Sequence, residues 1–294
     1  MRTRLFLAVA WVLSCAAFAP SSPSTGPEIV VVPSGSLRLK GFLWRPTISA
    51  PSPSPAPAPA PAPAVLFVHG SGSTDAAHTG GFTMAETAEK LGLVFAKHGY
   101  AFLYLCRRGQ GLSADQAPFM EDLLQTEKAA RGNEARRHLQ FVLMTTDHLD
   151  DELAGLSFLK SLPGLDARRI AVVGHSFGGQ IALLAAEHDS SLRAAVTFGA
   201  AAASWGGSSE VRDRLLTAVR STKVPIMLVH AANDYSTAPG QALAGELAKL
   251  GTPHALKIYP PFGKTADDGH NFVYTDIAEW EGDVFGFLDM HVKR

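Results

Sequence analysis

A chain of 294 residues with 46% hydrophobic content and a formal net charge of -1 has material for one large core and no surplus charge to recruit a polyanion. Its basic residues are dispersed. The densest group, Arg131, Arg136 and Arg137, has no aromatic platform interleaved with it, which fits a solvated helix face and argues against nucleic acid as a partner.

In chain order, residues 1–24 read as an export signal. Arg2 and Arg4 precede an apolar run over residues 5–13, too short to span a bilayer, and small residues follow. Ala17 or Ala19 would end a cleaved signal, with Pro20 hindering cleavage at the latter. Alternatively, Val12-Leu13-Ser14-Cys15 resembles a bacterial lipobox, which would make Cys15 a lipidated N-terminus. Either route exports the protein to the periplasm, the cell surface or the medium, and a lipid on Cys15 is the one membrane contact expected. Cys106 would then stand alone in the mature domain, so no internal disulfide is expected. It ends the apolar run 101–105 and reads as a buried structural thiol.

Residues 25–294 read as a single domain. Between Glu28 and Arg45, two apolar segments flank Pro33-Ser34-Gly35-Ser36, which predicts an antiparallel hairpin. The Pro-Ala tract over residues 51–64 lacks the backbone donors for helix or sheet and reads as an extended, solvated loop of that domain. The other reading makes it a tether to a domain that starts near Val65. Beyond it, continuous apolar runs at 65–68, 101–105, 170–173, 194–198, 226–229 and 255–259 predict strands buried on both faces. Helical patterns at 84–98, 147–161, 179–188, 211–219 and 240–250 alternate with them, and Ile277, Trp280, Val284, Phe287 and Leu288 stripe a final helix. The alternation implies an α/β fold with a mainly parallel, doubly wound sheet. Residues 114–145 form a long polar connection with some helical character that could lean over a site. Only one short helix fits between Phe198 and Ile226, so no large lid domain is expected there.

The strongest chemical signal is Gly174-His175-Ser176-Phe177-Gly178, a G-x-S-x-G motif between a buried strand and an apolar helix. A nucleophile must project from such a tight turn, and the glycines remove side chains that would clash around it. A serine hydroxyl needs a base to take its proton and a third group to orient that base. Asp234, just beyond the strand 226–229, is the candidate acid, and His270, in the loop after Tyr259, is the candidate base. Asp267 and Asp268 are too near His270 in sequence to be preferred for the acid and read as solvated. Backbone N–H groups should meet the charge that builds on the carbonyl oxygen. Phe177, which follows the nucleophile, and Ser71, in His69-Gly70-Ser71-Gly72-Ser73, are the candidate oxyanion-hole donors. That glycine-rich loop lacks the Lys-Ser/Thr ending of a phosphate loop, and the eleven histidines form no H-E-x-x-H or similar ligand set.

Together these residues resemble the α/β-hydrolase superfamily, in particular its dienelactone-hydrolase-like and prolyl-oligopeptidase-like branch. The likeness runs from about Glu28 to the C-terminus, apart from the Pro-Ala tract and residues 114–145. Further matches are Arg108-Gly109-Gln110-Gly111-Leu112-Ser113, similar to an RGxGxS turn, and Leu165-Asp166-Ala167-Arg168-Arg169-Ile170 before the nucleophile strand. The chain departs in carrying Ser176 where dienelactone hydrolases proper have cysteine, and Cys106 where related enzymes often have Asp. Arg108 reads as a structural buried cation rather than a substrate clamp.

The resemblance implies a cofactor-free serine hydrolase acting through an acyl-enzyme. Small or medium carboxylic esters are the expected substrates, because no large lid or propeller domain is indicated. A peptidase or amidase using the same triad is the second reading, and a surface binding protein that only retains the scaffold is a third.

Overall fold

The central strands are apolar without a break because they are covered on both faces, as a computed structural model of the protein shows over the described residues 26–46, 60–71 and 81–294. The expected signal peptide and Cys15, most of the Pro-Ala tract, and Gly72 and Ser73 lie outside those residues. Strands β1 (Glu28–Ser34) and β2 (Leu37–Trp44) form the antiparallel hairpin. They are followed by β3 (Ala62–Val68), β4 (Ala101–Cys106), β5 (Leu165–His175), β6 (Ala194–Phe198), β7 (Ile226–Ala231) and β8 (His254–Tyr259). The eight strands lie in the order β1-β2-β4-β3-β5-β6-β7-β8. Only the pairings of β2, with β1 and with β4, are antiparallel.

Helix α1 (Met84–Lys97) starts at a Thr83–Glu86 capping box. After it come α2 (Met120–Thr145), α3 (Asp147–Ser161), α4 (Phe177–His188), α5 (Ser209–Ser221) and α6 (Ala238–Leu250), then two short helices, α7 (Ala266–His270) and α8 (Phe272–Thr275), and finally α9 (Ile277–Val292). Period-two alternation divides each buried strand between two cores. In β3, Leu66 and Val68 join the cluster holding Leu156 of α3, Ile181 of α4, Leu215 of α5 and Leu247 of α6. Val65 and Phe67 join the cluster holding Phe95 of α1 and Trp280, Val284 and Leu288 of α9. Burying such side chains contributes about 1.5–3 kcal/mol each, which is why these runs read as solid hydrophobic rather than alternating.

Two expectations need correction and a third gains detail. The Pro-Ala loop does not extend to Ala64, because its last three residues belong to β3. Ala62 N–H donates to Gly164 O (2.8 Å), and the pairing with β5 shifts between Ala62 and Ala64, so an irregularity accommodates Pro63, which has no N–H to give. The polar connection 114–145 is mostly the single helix α2, broken at Gly132 (φ 87°, ψ −177°), and of its residues only Met120, Leu124 and Met144 are buried. Finally, the buried cation is Arg107 rather than Arg108. Arg107 continues the 101-103-105 face of β4 into the layer of α3, fully buried against Glu152, while Arg108 keeps some exposure and pairs with Asp147 and Asp151 at 2.8 Å each.

From β3 the chain passes through α1 to β4 on one side, and later returns to β5 on the other. The carboxyl ends of β3 and β5 therefore flank a point where the strand order reverses, the place where open α/β sheets leave a crevice.

Candidate active site

Ser176 sits between β5 and α4 with φ 55° and ψ −120°, a left-handed conformation that a non-glycine residue holds only at some cost. The turn is pinned by Ser176 N–H donating to Phe198 O (2.8 Å) and by the first helical bond, Gln180 N–H to Ser176 O (3.2 Å). Close approach explains Gly178: a Cβ there would stand 2.1 Å from Val68 O and 2.3 Å from His69 O, so a side chain would push the start of α4 off the end of β3.

The Ser176 hydroxyl donates to His270 Nε2 (2.8 Å), and His270 Nδ1–H donates to Asp234 Oδ1 (2.7 Å). Asp234 lies just past β7, and its carboxylate also accepts from His230 Nδ1–H (3.0 Å, on Oδ2) and from Tyr235 N–H (2.7 Å, on Oδ1). Burial alone would raise its pKa. The donors from His230 and His270 outweigh that and hold it down at about 2, so the carboxylate is ionised at neutral pH. His270 is the last residue of α7, where a loop was expected. Asp268 is a working cap of that helix rather than an idle solvated group, accepting from Lys264 N–H (2.8 Å) and Thr265 N–H (2.9 Å). Asp267 accepts from the Tyr235 hydroxyl, and the Tyr235 ring lies against His270 with centroids 4.8 Å apart.

Several residues that sequence reasoning did not single out hold this line together. Asn233 joins the two loops, its amide donating to Phe262 O (2.6 Å) and Thr265 O (2.8 Å) while its oxygen accepts from Phe262 N–H (2.9 Å). His175 donates through Nε2 to His270 O (2.9 Å) and accepts at Nδ1 from the Tyr274 hydroxyl (3.1 Å). Burial first, and then the neighbouring His270 charge, push the His175 pKa down to about 3, so it stays a neutral spacer. His230 precedes Asp234 by one turn, and that four-residue spacing was the only signal it offered. Nothing local marks Asn233 or His175.

Ser176 and Phe177 open on a cleft of about 380 Å³ that Ser71 also lines. The second half of α2 forms one wall, with Arg136, Gln140, Phe141 and Met144, and the Ala201–Ala203 stretch forms another. Phe177 is the first residue of α4, so its N–H belongs to the unpaired first turn at the positive end of the helix dipole. A larger open groove of about 600 Å³ between α2 and α5 contains none of Ser176, Asp234 or His270. Among the described residues, no group of three His, Cys, Asp or Glu side chains could hold a metal ion. The hydrogen-bonded line from Ser176 through His270 to Asp234 can deliver a hydroxyl oxygen to an electrophile while an imidazole takes its proton.

Comparison with known proteins agrees with this architecture. The acylaminoacyl peptidase of Pyrococcus horikoshii superposes with a TM-score of 0.60 at 18% identity; the match covers 91% of this chain but only 42% of the peptidase, so the chain spans less than half of that protein. An esterase of Pyrococcus furiosus gives a TM-score of 0.61 at 14% identity, covering 90% of this chain and 93% of the esterase. A dienelactone hydrolase of Anabaena variabilis gives 0.55 at 21%, covering 89% and 98%. These likenesses concern the fold. No curated protein matches the chain in a sequence search. The sequence profile of the dienelactone hydrolase family matches residues 57–279, well over half of the chain. The chain thus belongs to the dienelactone hydrolase family and has the α/β-hydrolase fold.

Proposed function

We propose that the protein hydrolyses carboxylic esters of small or medium size through an acyl-enzyme on Ser176. The observation that carries this reading is the unbroken line from the Ser176 hydroxyl through His270 to the ionised Asp234, at 2.8 and 2.7 Å. Ser176 Oγ attacks the carbonyl carbon as its proton passes to His270 Nε2. Asp234 holds the imidazole in the tautomer that can accept and stabilises the imidazolium that forms. Charge on the carbonyl oxygen is met by the N–H groups of Phe177 and Ser71. His270 then returns the proton to the departing alkoxide oxygen, so the alcohol leaves and the acyl group stays on Ser176. A water molecule, deprotonated by His270, attacks that ester in turn. The second tetrahedral species collapses to the carboxylic acid and free Ser176.

The cleft supports the substrate size proposed, since its volume of about 380 Å³ lies near the lower end of the roughly 300–1,000 Å³ usual for small-molecule sites. Phe141, Met144 and Ala201 give it apolar surface for an acyl chain. No step requires a cofactor. The reading is tested with a fluorophosphonate probe and an ester panel. Labelling that vanishes in Ser176→Ala, together with cleavage of short aryl esters, is the expected result. Labelling with faster cleavage of the matched anilides would make the protein an amidase. A well-folded wild type that takes up no probe and cleaves no ester would leave the binding-protein reading.

A further inference from the structure

The carbonyl oxygens of His69, Gly70 and Ser71 all turn toward one short segment that follows β4. Arg107 Nη1 donates to His69 O (2.8 Å), Arg107 Nη2 donates to Gly70 O (2.6 Å), and the Gln110 side-chain amide donates to Ser71 O. His69 itself is part of the brace, since its Nδ1–H donates to Gly70 O (2.9 Å) and its Nε2 accepts from Arg107 N–H (3.3 Å). A trans peptide directs its N–H opposite to its carbonyl. With the carbonyls of His69 and Gly70 on Arg107, the N–H groups of Gly70 and Ser71 point away from it. The nucleophile turn is packed against the same peptide: a Cβ on Gly70 would stand 3.3 Å from His175 Nδ1 and 3.6 Å from Ser176 Cβ. Ser71 in turn borders the cleft with Ser176 and Phe177.

Stability is a poor reason for an arginine here. Arg107 and Glu152 are both fully buried, 3.3 Å apart, and a buried ion pair is weak evidence for stability because desolvation offsets the attraction. The pair is also imperfectly satisfied, since Arg107 Nε, Glu152 Oε2 and Gln110 Oε1 have no hydrogen-bond partner among the described residues. The bonds that are well made go to two carbonyls beside the nucleophile.

We propose that Arg107 is a positioning residue that, through Gly70 O, fixes the peptide plane carrying Ser71 N–H so that this N–H is aimed at the carbonyl oxygen in the transition state, with Gln110 bracing Ser71 from its carbonyl side. This rests on the acyl-transfer reading of Ser176. It acts through the loop and touches no reacting atom.

The test compares Arg107→Met, Arg107→Lys and Gln110→Leu with the wild type in the full chain. Competent sites are titrated to completion with a fluorophosphonate, and kcat and KM are measured for one short aryl ester. Losing a single oxyanion donor typically lowers kcat by about 10²–10³-fold, so Arg107→Met should lose about 10²-fold in kcat per titrated site, with KM held within about threefold. Arg107→Lys, able to reach one carbonyl, should recover about tenfold of that loss, and Gln110→Leu should lose about tenfold. A merely structural arginine would instead lower the melting temperature and the titratable fraction while leaving kcat per site unchanged, and that result overturns the proposal. Should Arg107→Met fail to fold, the other two variants decide by the same criterion. A wild type that neither takes up the probe nor cleaves an ester overturns the acyl-transfer reading and this role with it. An active wild type whose folded variants keep kcat overturns the role of Arg107 alone.

Discussion

His230 Nδ1 lies 3.0 Å from Asp234 Oδ2, the carboxylate oxygen that His270 leaves free, so one anion is held between two imidazoles. Both side chains are about 1% exposed. Water therefore cannot replace the donor if His230 is removed, and an orphaned buried acceptor costs about 1–3 kcal/mol. His230→Leu should lose stability in that range. It should also lower kcat about tenfold, because an Asp234 free to rotate orients His270 less well. His230→Gln, which can still donate, should keep most of both. Asp234→Asn should do far worse, up to about 10⁴-fold in kcat, by favouring the wrong tautomer of His270. Urea unfolding and steady-state kinetics on the same preparations check all three, and an unaltered kcat in His230→Leu would remove His230 from the site.

Acid should weaken the fold through the same carboxylate. Its pKa of about 2 when folded lies below the ordinary 3.8. The charge thus stabilises the native state in full above about pH 4, and this contribution is lost as the pH falls from there through 2. That lowering of the pKa corresponds to roughly 2 kcal/mol. Urea titrations of wild type and Asp234→Asn should therefore converge by about that amount between pH 5 and pH 2. Parallel curves would show that Asp234 gains nothing from its donors.

Ser176 was legible as the candidate nucleophile because the features that mark it lie within about ten residues: a buried strand, glycines at the turn and an apolar helix. Asp234 and His270 were legible by position, each following a strand whose end must lie at the same rim of a parallel sheet. Asn233 and Arg107 were not, because their contacts are with distant partners, and His230 offered only its four-residue spacing from Asp234. Arg107 binds carbonyls 38 and 37 residues away, and Asn233 binds a carbonyl 32 residues away. Neighbouring arginines also look alike in sequence. That Arg107 faces inward and Arg108 outward is set by the phase of β4 as it enters the α3 layer, beyond the apolar run 101–105 that marks the strand. The wall made by α2 was legible only in part, as a connection of some helical character that could lean over a site. Its direction over the cleft depends on the break at Gly132, and a polar helix that buries only three residues gives no hydrophobic period to follow.

Gly199 shows how little room the acid and base leave. Its φ is 58°, and a Cβ there would stand 2.9 Å from His270 Nδ1 and 3.0 Å from Asp234 Oδ2. Gly199→Ala combines left-handed strain of about 1–2 kcal/mol with a methyl group pushed against the His270–Asp234 bond. At Gly132, where φ is 87° and nothing lies within 4 Å of the added Cβ, alanine brings strain alone. Both variants should be destabilised, Gly132→Ala through strain alone and Gly199→Ala through strain and the close contact together. Only Gly199→Ala should lose activity steeply, by about 10²-fold or more, since a displacement near 1 Å in a catalytic pair has that effect. Thermal unfolding and kcat measured side by side test the contrast, which fails if the two variants lose activity equally.

The backbone of Ser176 itself predicts a trade between stability and catalysis. A non-glycine residue at φ 55°, ψ −120° stores strain of order 1–3 kcal/mol. Alanine removes the hydroxyl but keeps the Cβ, so Ser176→Ala stays strained. Glycine adopts this conformation freely, although it gives back about 0.4–1 kcal/mol through the greater entropy of its unfolded chain. Ser176→Gly should therefore be more stable than Ser176→Ala by about 1 kcal/mol, with both inactive toward esters. Equilibrium unfolding in urea measures the difference directly. If alanine equals or exceeds glycine, the strain is absent, and the tight strand-to-helix turn does not hold its serine under tension.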